Sequence, residues 1–455
     1  MRSISLTYPD IFTFKESDGP YVWRDSDFAS GQLSHGGDVD QLEVVLRRAF
    51  ELGLKRDRAW DVVLLSAPLR ERVIRAAAIY KRGVRVHGCT PPAVTRCDTL
   101  IIHHKQVADC FAGARNDDLV LVDETVHKTW WHKIPGRIVR FPFAEDDKTL
   151  RAAYSVKDLI NHESPLNGRV FVVGGGVAGD IAGFASVLAA REFEFVPTTL
   201  LSLVDSSVGG KTGVNFGRWG KNQVGMFALP RATHICPEWL ETLAPREINS
   251  GLAEFAKHAL LSGHRGLWAA ARECARLSRE QRSVTALVDA TIMDAIQVKS
   301  DIVSRDPFES GERRTLNFGH TVGHGLEALA IKRRQRVTHG ECVAIGMFHA
   351  LRLSEKYLGF AAGRYSEELL GLGIIPDRSQ LVRIWGNVET FAACQHELIE
   401  IISQDKKATG DGQIPFALLS DFGRPYKGPE SSWLYTVDAA EAWNEILATW
   451  KILAG

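Results

Sequence analysis

Polar side chains of several kinds recur along this chain at spacings that let them act together. Arg313, Asn317, His320 and His324 are separated by 4, 3 and 4 positions, so on a continuous helix they form one stripe. Leu316, Phe318, Val322 and Leu326 around them are suited to packing. Such a stripe is commonly just a wet face. Two imidazoles one turn apart, flanked by Gly319 and Gly323, also suit a metal ion. A third imidazole, His339, follows in Thr-His-Gly-Glu-Cys beyond the next helix break. Glu254 and Lys257 share a helix face, which by itself describes an ordinary ion pair.

Two glycine-rich turns carry a different chemistry. Gly174-Gly175-Gly176-Val177-Ala178-Gly179-Asp180 follows an apolar strand and opens a helix. Backbone N–H groups at such a turn approach a pyrophosphate, and the helix start adds partial positive charge. A plain tight turn reads the same way, and the spacing is not the G-x-G-x-x-G of common dinucleotide folds. Asp205-Ser-Ser-Val-Gly-Gly-Lys211-Thr-Gly-Val-Asn215, followed by Lys221-Asn222, offers point charges and N–H donors that suit a phosphate. It is not a P-loop, because the required G-x-x-x-x-G-K-[ST] spacing is absent. The bland alternative is a solvated loop. Nothing local singles out Lys299 on its helix, or Lys406 and Lys407 before GDGQIPFALL.

The elements that must hold these groups fall into two styles. AWDVVLLSA (59–67), VRVHG and DTLIIHH read as strands, and PLRERVIRAAAIYKRG (68–83) as a helix, in a region with no motif attached to chemistry. From about residue 118 strands and helices alternate: DDLVLVDETV, GRIVRFPF, TLRAAYSVKDLINH, RVFVVGGGVAGDIAGFASVLAA and EFEFVPTTLL. That rhythm predicts a parallel, doubly wound sheet. After about 243 the pattern becomes helical, in REINSGLAEFAKHALLSG, in the stretch from Leu267 to Val303 and in ERRTLNFGHTVGHGLEALAI. The expected organisation is an N-terminal extension over 1–110, an α/β nucleotide-binding domain over 111–242 and a mainly α-helical domain over 243–455.

Composition bounds the partners. Lys+Arg and Asp+Glu are both 55, and a chain of zero formal charge is not built to coat nucleic acid or an anionic membrane. An anionic ligand must therefore meet a local cluster of cations. No run of about eighteen apolar residues predicts a membrane span. The start, MRSISLTYPDIFTF, lacks the basic patch and apolar run of a secretory leader. Seven scattered cysteines without a C-x-x-C pair predict reduced thiols and a cytoplasmic protein.

Taken together, FPFAEDDKTL, GGGVAGDIAGF, VPTTLLSLVDSSVGGKTGVN, GKNQVGMF, SGLAEFAKHALL, RRTLNFGHTVGHGLE, HGECVAIGM and DKKATGDGQIPFALL resemble the 3-dehydroquinate synthase family of sugar phosphate cyclases. They occur in family order over roughly 115–425. The resemblance implies Zn2+ (or Co2+) on Glu254, His320 and His339, a set of one carboxylate and two imidazoles that suits catalytic zinc. It implies NAD+ along Glu145 and Lys148, the turn bearing Gly175, Gly176, Val177, Gly179 and Asp180, then Thr198, Thr199 and the segment ending at Thr242, with Lys211, Lys221 and Asn222 nearby. Lys211, Asn222, His324 and Lys406 would surround a substrate phosphate. Lys299 and Arg313 would face a substrate carboxylate, and Asp205, Lys257 and Asn317 would position the hydroxyls being oxidised. In the family, NAD+ oxidises a secondary alcohol, zinc polarises the ketone, phosphate leaves, the hydride returns, and an intramolecular aldol closes the ring. The substrate implied is 3-deoxy-D-arabino-heptulosonate 7-phosphate, the product 3-dehydroquinate and the assembly a homodimer.

The chain also departs from the family. Where an Arg-Gly pair precedes the V-P-T-T strand and its arginine reaches a phosphate, this sequence runs Leu-Ala-Ala-Arg191-Glu-Phe-Glu-Phe. The nearest arginine is Arg191. The loop ahead of Lys221-Asn222 is one residue longer than usual. Two rivals follow. One is a cyclase acting on sedoheptulose 7-phosphate, which lacks the carboxylate, in the manner of 2-epi-5-epi-valiolone synthase. The other is a polyol dehydrogenase of the glycerol dehydrogenase type, which would release NADH and need no cations around a phosphate and a carboxylate.

Overall fold

The computed structural model describes residues 3–7, 60–63, 84–87, 98–165, 167–215, 222, 224–307, 309–405, 412–429 and 432–455. Lys221, Lys406 and the helix expected over 68–83 lie outside the described residues. Two compact units divide the chain: Ser3–Pro197 with Gly209–Ile235, and Thr198–Val208 with Cys236–Gly455.

Among the described residues the first unit holds eleven strands, seven of them in one sheet. In chain order the strands are β1 (Ser3–Thr7), β2 (Trp60–Val63), β3 (Val84–His87), β4 (Asp98–His103), β5 (Leu119–Asp123), β6 (Arg137–Phe141), β7 (Val170–Gly174), β8 (Phe193–Pro197), β9 (Lys211–Val214), β10 (Val224–Phe227) and β11 (Ala232–Ile235). The large sheet runs β1-β4-β11-β8-β7-β5-β6. Its pairs are parallel except β1 on β4. The strands expected in AWDVVLLSA, VRVHG and DTLIIHH all form, and the last two differ in use: β4 joins the large sheet, while among the described residues β3 pairs only with β2. β7 and β8 are buried at every position, as parallel strands covered on both faces must be. Helices α1 (Glu124–Trp130), α2 (Leu150–Glu163) and α3 (Gly176–Leu188) follow β5, β6 and β7. Val156, Ile160, Ala178 and Ile181 from α2 and α3 share one apolar core with Leu121, Val172 and Phe195. α3 sits close to the sheet because glycine leaves room: a Cβ on Gly179 would lie 2.6 Å from the Phe195 ring.

The opposite face of that sheet carries a buried chain of charge. Asp118 accepts from the backbone and side chain of Arg169 at 3.0 and 3.3 Å and from Arg115 at 2.8 and 3.1 Å. Arg169 also binds Glu194, which meets His234 at 2.8 Å, and His234 meets His104 at 2.9 Å. The five described cysteines, 110, 236, 274, 342 and 394, are buried.

The second unit is mainly helical, with α4 (Pro245–Ser262), α5 (Arg265–Arg279), α6 (Thr285–Arg305), α7 (His320–Lys332), α8 (His339–Leu358), α9 (Gly363–Gly371), α10 (Arg378–Trp385), α11 (Val388–Ala392), α12 (Gln395–Asp405) and α13 (Ala439–Ala454). Short strand pairs, β12 (Gln413–Phe416) with β15 (Tyr435–Asp438) and β13 (Leu419–Asp421) with β14 (Arg424–Pro425), complete it. Among the described residues no helix is long and apolar enough to cross a membrane.

Asp118 offers a test of the sheet's charged face. Burial works against its ionisation, but the hydrogen bonds from Arg169 and Arg115 hold the carboxyl well below the usual range. A depressed pKa contributes stability above the unfolded-state value of about 4 and loses it as pH falls through the folded one. Asp118→Ala should therefore cost about 3 kcal/mol in denaturant melts at pH 7, and the gap to the parent should narrow at pH 3.

Candidate functional site

The sequence-level stripe is not on one helix. Arg313 and Asn317 lie on a 3-10 turn, Glu312–Asn317, and α7 begins only at His320. Gly319 between them has φ +82, a left-handed conformation that glycine adopts without strain. The break turns Arg313 away from the helical register of the two histidines and lets His320 open a new helix.

Close helix contacts then bring the imidazoles together. A Cβ on Gly346 of α8 would lie 1.8 Å from the Gly319 carbonyl, and one on Gly323 of α7 would lie 3.0 Å from that of Cys342. The two helices can approach this closely only because side chains are missing at the crossing. At the head of α8, Thr338 and Glu341 form a reciprocal capping box, which fixes the helix start where His339 stands. A Cβ on Gly340 would lie 2.1 Å from the Ser250 carbonyl of α4. Glu254 of α4 is thereby brought to both histidines. Its Oε1 lies 3.3 Å from His320 Nε2 and 3.6 Å from His339 Nε2. The far ring nitrogens are held in turn: His320 Nδ1 lies 3.2 Å from the Phe318 carbonyl and His339 Nδ1 3.3 Å from Glu327. His324 joins the cluster, its ring centroid 5.1 Å from that of His320 and 5.7 Å from that of His339.

Glu254 is fully buried, and neither of its oxygens meets a donor in hydrogen-bonding geometry. Burial opposes its charge, yet the Lys257 ammonium, which forms an ion pair with it, holds the carboxyl well below its usual range. His320 is pushed down to about 4 by burial and by Lys257, so its imidazole is neutral near pH 7. His339 goes the other way, up to about 9: burial opposes the charge, but Glu327 and Glu254 together outweigh it. A carboxylate facing two imidazole Nε2 edges, each ring backed by a partner on its other nitrogen, is a donor set that fits a divalent metal ion.

Beside this cluster stands a second one. Asp205 sits in the turn Ser202–Ser206, in the segment that Gly251 of α4 admits; a Cβ there would lie 2.5 Å from Leu200. Lys299 Nζ of α6 donates to the Asp205 carbonyl at 2.7 Å and meets its carboxylate at 2.8 Å. Lys257 and His258 approach the same carboxylate at 3.7 and 3.3 Å. Burial disfavours the charge on Asp205, but Lys299 and Lys257 keep it ionised well below the usual range. Burial lowers Lys299 to about 8, and the charges of Lys257 and Arg313 add to that depression. Arg313 is itself buried, donating to the Pro307 carbonyl, and Asn317 donates to Glu309 at 2.6 Å.

The first unit holds the other predicted residues. Gly175 caps α3, with Gly176, Val177, Gly179 and Asp180 in its first turns. Asp180 pairs with the buried Lys148. The Lys148 carbonyl accepts from the Asn215 backbone at 2.8 Å, and Asn215 reaches Glu145 at 3.3 Å and the Asn222 backbone at 3.0 Å. Lys211 is exposed at the start of β9. Arg191 is buried and donates to the Ala189 and Ser164 carbonyls at 2.8 and 3.4 Å; its guanidinium serves the loop after α3. In the second unit, Thr198 is buried, Thr199 bonds Ser202 at 2.8 Å, and Thr242 ends the 3-10 turn Pro237–Thr242.

Residues 138–250 match the family pattern described as 3-dehydroquinate synthase N-terminal, and residues 251–408 the one described as 3-dehydroquinate synthase C-terminal. The 3-dehydroquinate synthase of Chlorobaculum parvum is 34% identical over 352 residues, which span 73% of this chain and 92% of that protein. The chain belongs to the 3-dehydroquinate synthase family. It is an enzyme, a sugar phosphate cyclase. Two solved structures share its fold. A 2-deoxy-scyllo-inosose synthase with carbaglucose-6-phosphate, NAD+ and Co2+ aligns with a TM-score of 0.64 at 20% identity, covering 78% of this chain and 98% of its own. The 2-epi-5-epi-valiolone synthase of Streptomyces hygroscopicus subsp. jinggangensis, with NAD+ and Zn2+, aligns at 0.62 and 22%, covering 81% and 99%.

Two members of the cluster escaped the sequence reading. Glu327 stands three positions after His324 on α7, and His258 four after Glu254 on α4. In both cases helical periodicity from an already chosen residue was the available signal. The glycine crossing can be tested directly. Gly346→Ala should cost about 3 kcal/mol and lower the thermal midpoint. Gly371→Ala, where a Cβ meets nothing within 4 Å, should leave it unchanged.

Proposed function

We propose that this cyclase is a 3-dehydroquinate synthase, converting 3-deoxy-D-arabino-heptulosonate 7-phosphate to 3-dehydroquinate and phosphate, with NAD+ and Zn2+ (or Co2+) bound. The observation that carries the reading is the concentration of buried charge in the second unit. Lys257, Lys299 and Arg313 are all buried there, against the carboxylates of Asp205 and Glu254. With the buried Glu327 counted as well, a divalent metal ion would leave this group two charges positive. Such an excess suits a substrate bearing both a carboxylate and a phosphate, and leaves a neutral polyol with nothing to neutralise it.

When bound, the two cofactors supply hydride acceptance and return, and Lewis acidity toward a substrate oxygen. The chain's own residues do the rest. Glu254, His320 and His339 are the metal ligands, with Glu327 and the Phe318 carbonyl orienting the two rings. Asp205, held ionised by two lysines, accepts hydrogen bonds from substrate hydroxyls. Lys257 and Asn317 position the same groups. Lys299 and Arg313 bind the carboxylate, for which a guanidinium fork is well shaped, and a carboxylate there restores the proton affinity that burial takes from Lys299. His324, at the edge of the imidazole cluster, Lys211, Asn222 and Lys406 are assigned to the phosphate. The turn from Gly175 to Asp180 is assigned to the dinucleotide's phosphates, and the Lys148–Asp180 pair holds it in shape. A homodimer is the assembly expected of the family.

The second reading is a cyclase for sedoheptulose 7-phosphate, favoured by Arg191, whose buried position removes the nearest replacement for the family's phosphate arginine. Phosphate release from each sugar phosphate, measured with Zn2+ and NAD+ present, separates the two. Turnover of the carboxylated sugar alone is expected; turnover confined to the other one defeats the first reading. Arg313→Ala should lower kcat/KM for the carboxylated substrate about 100-fold, as loss of a charge-assisted pair worth about 3 kcal/mol would. His320→Ala should abolish metal retention and activity while the far-ultraviolet spectrum stays unchanged; full metal content in that variant would remove His320 from the ligand set.

A further inference from the structure

One hollow in the second unit takes no part in the chemistry above. Arg265, Trp268 and Arg272 of α5, Arg364 and Tyr365 of α9, and Phe422 of the β13–β14 turn line a cavity of about 150 Å³. Its walls are aromatic and its rim is cationic. Tyr365 and Phe422 stack with centroids 4.8 Å apart and planes 6° from parallel, and Trp268 meets Tyr365 edge-on at 5.9 Å. The Arg265 guanidinium lies 5.9 Å from the centre of the Phe422 ring.

The charge is unbalanced. Glu368 is the carboxylate here, and it is already engaged by Arg364 at 2.8 Å, by Arg272 at 3.7 Å and by the Trp268 indole N–H. Among the described residues Arg265 has no carboxylate partner. Three guanidiniums thus face one acid, with an aromatic floor between them. An arginine fork matches a carboxylate, and arginine also lies against ring faces. A void of this size takes one benzene-sized ring.

We propose that this hollow is a binding site for a small anion built on a single aromatic ring, a benzenecarboxylate in its simplest form, distinct from the catalytic cluster. The ring packs against Trp268, Tyr365 and Phe422, and the carboxylate pairs with Arg265. The site also touches the catalytic helix. The Gly423 N–H beside Phe422 donates to the Leu260 carbonyl at 2.9 Å, and Gly423 packs on Gly263, the left-handed residue that ends α4.

The test is calorimetric titration of the full chain, loaded with Zn2+ and NAD+, with benzoate, cyclohexanecarboxylate and benzyl alcohol. Benzoate is expected to bind saturably with a Kd of about 1 mM. The saturated acid and the neutral alcohol should each bind at least about fivefold more weakly, since one lacks the ring face and the other the charge. Arg265→Ala should weaken benzoate about tenfold, with an unchanged melting temperature and unchanged turnover when benzoate is absent. Arg313→Ala should leave benzoate binding as in the parent. The reverse pattern, loss in Arg313→Ala and retention in Arg265→Ala, would assign the anion to the catalytic cluster and overturn the proposal. So would equal binding of benzoate and benzyl alcohol, or no binding up to about 20 mM.

Discussion

An ionised carboxylate stays inside a protein only when positive charge is held beside it, and Glu254 has no exposure at all. Much of the second unit follows from that constraint. Lys257 comes from the next turn of the same helix and His339 from the start of α8, while His320, neutral near pH 7, faces the carboxylate from the start of α7. Asp205, a second acid one ammonium away, extends the demand to Lys299 on α6. Four helices and one turn are thereby tied to a single electrostatic account, in which removing a charged member leaves another charge unmatched.

The packing that permits this is as specific as the charges. Gly319, Gly323, Gly340 and Gly346 mark the points where backbone meets backbone. None of them does chemistry, yet together they set the distance between the two histidine-bearing helix starts. Charge placement at this site is thus a consequence of where side chains have been left out.

The sheet and the helical unit were legible in the sequence because their periodicities are strong: continuous apolar runs such as VFVVG and FEFVP for covered strands, long amphipathic stretches for helices. Glu254, Lys257 and Lys299 were not distinguishable locally, since a glutamate and a lysine three apart describe any surface pair. Their significance comes from burial, which is a tertiary property. Only the resemblance of several ordered motifs pointed to them. The expected stripe from Arg313 to His324 failed for a local reason. Helical spacing was carried through Gly319, a residue whose left-handed backbone ends one helical turn and starts another. Arg191 was legible as a departure, but only its hydrogen bonds to Ala189 and Ser164 reveal that its guanidinium is committed to the fold.

The buried line from Asp118 through Arg169, Glu194 and His234 to His104 crosses the large sheet from strand to strand, on the face opposite Phe193 and Phe195. Side chains along a strand alternate faces, so sliding any of these strands by one residue would exchange a charge for an apolar group on both sides at once. Parallel sheets rich in valine and phenylalanine offer many nearly equivalent registers. A polar seam of this kind makes the alternatives expensive, and so acts as an alignment key for strands that are far apart in sequence.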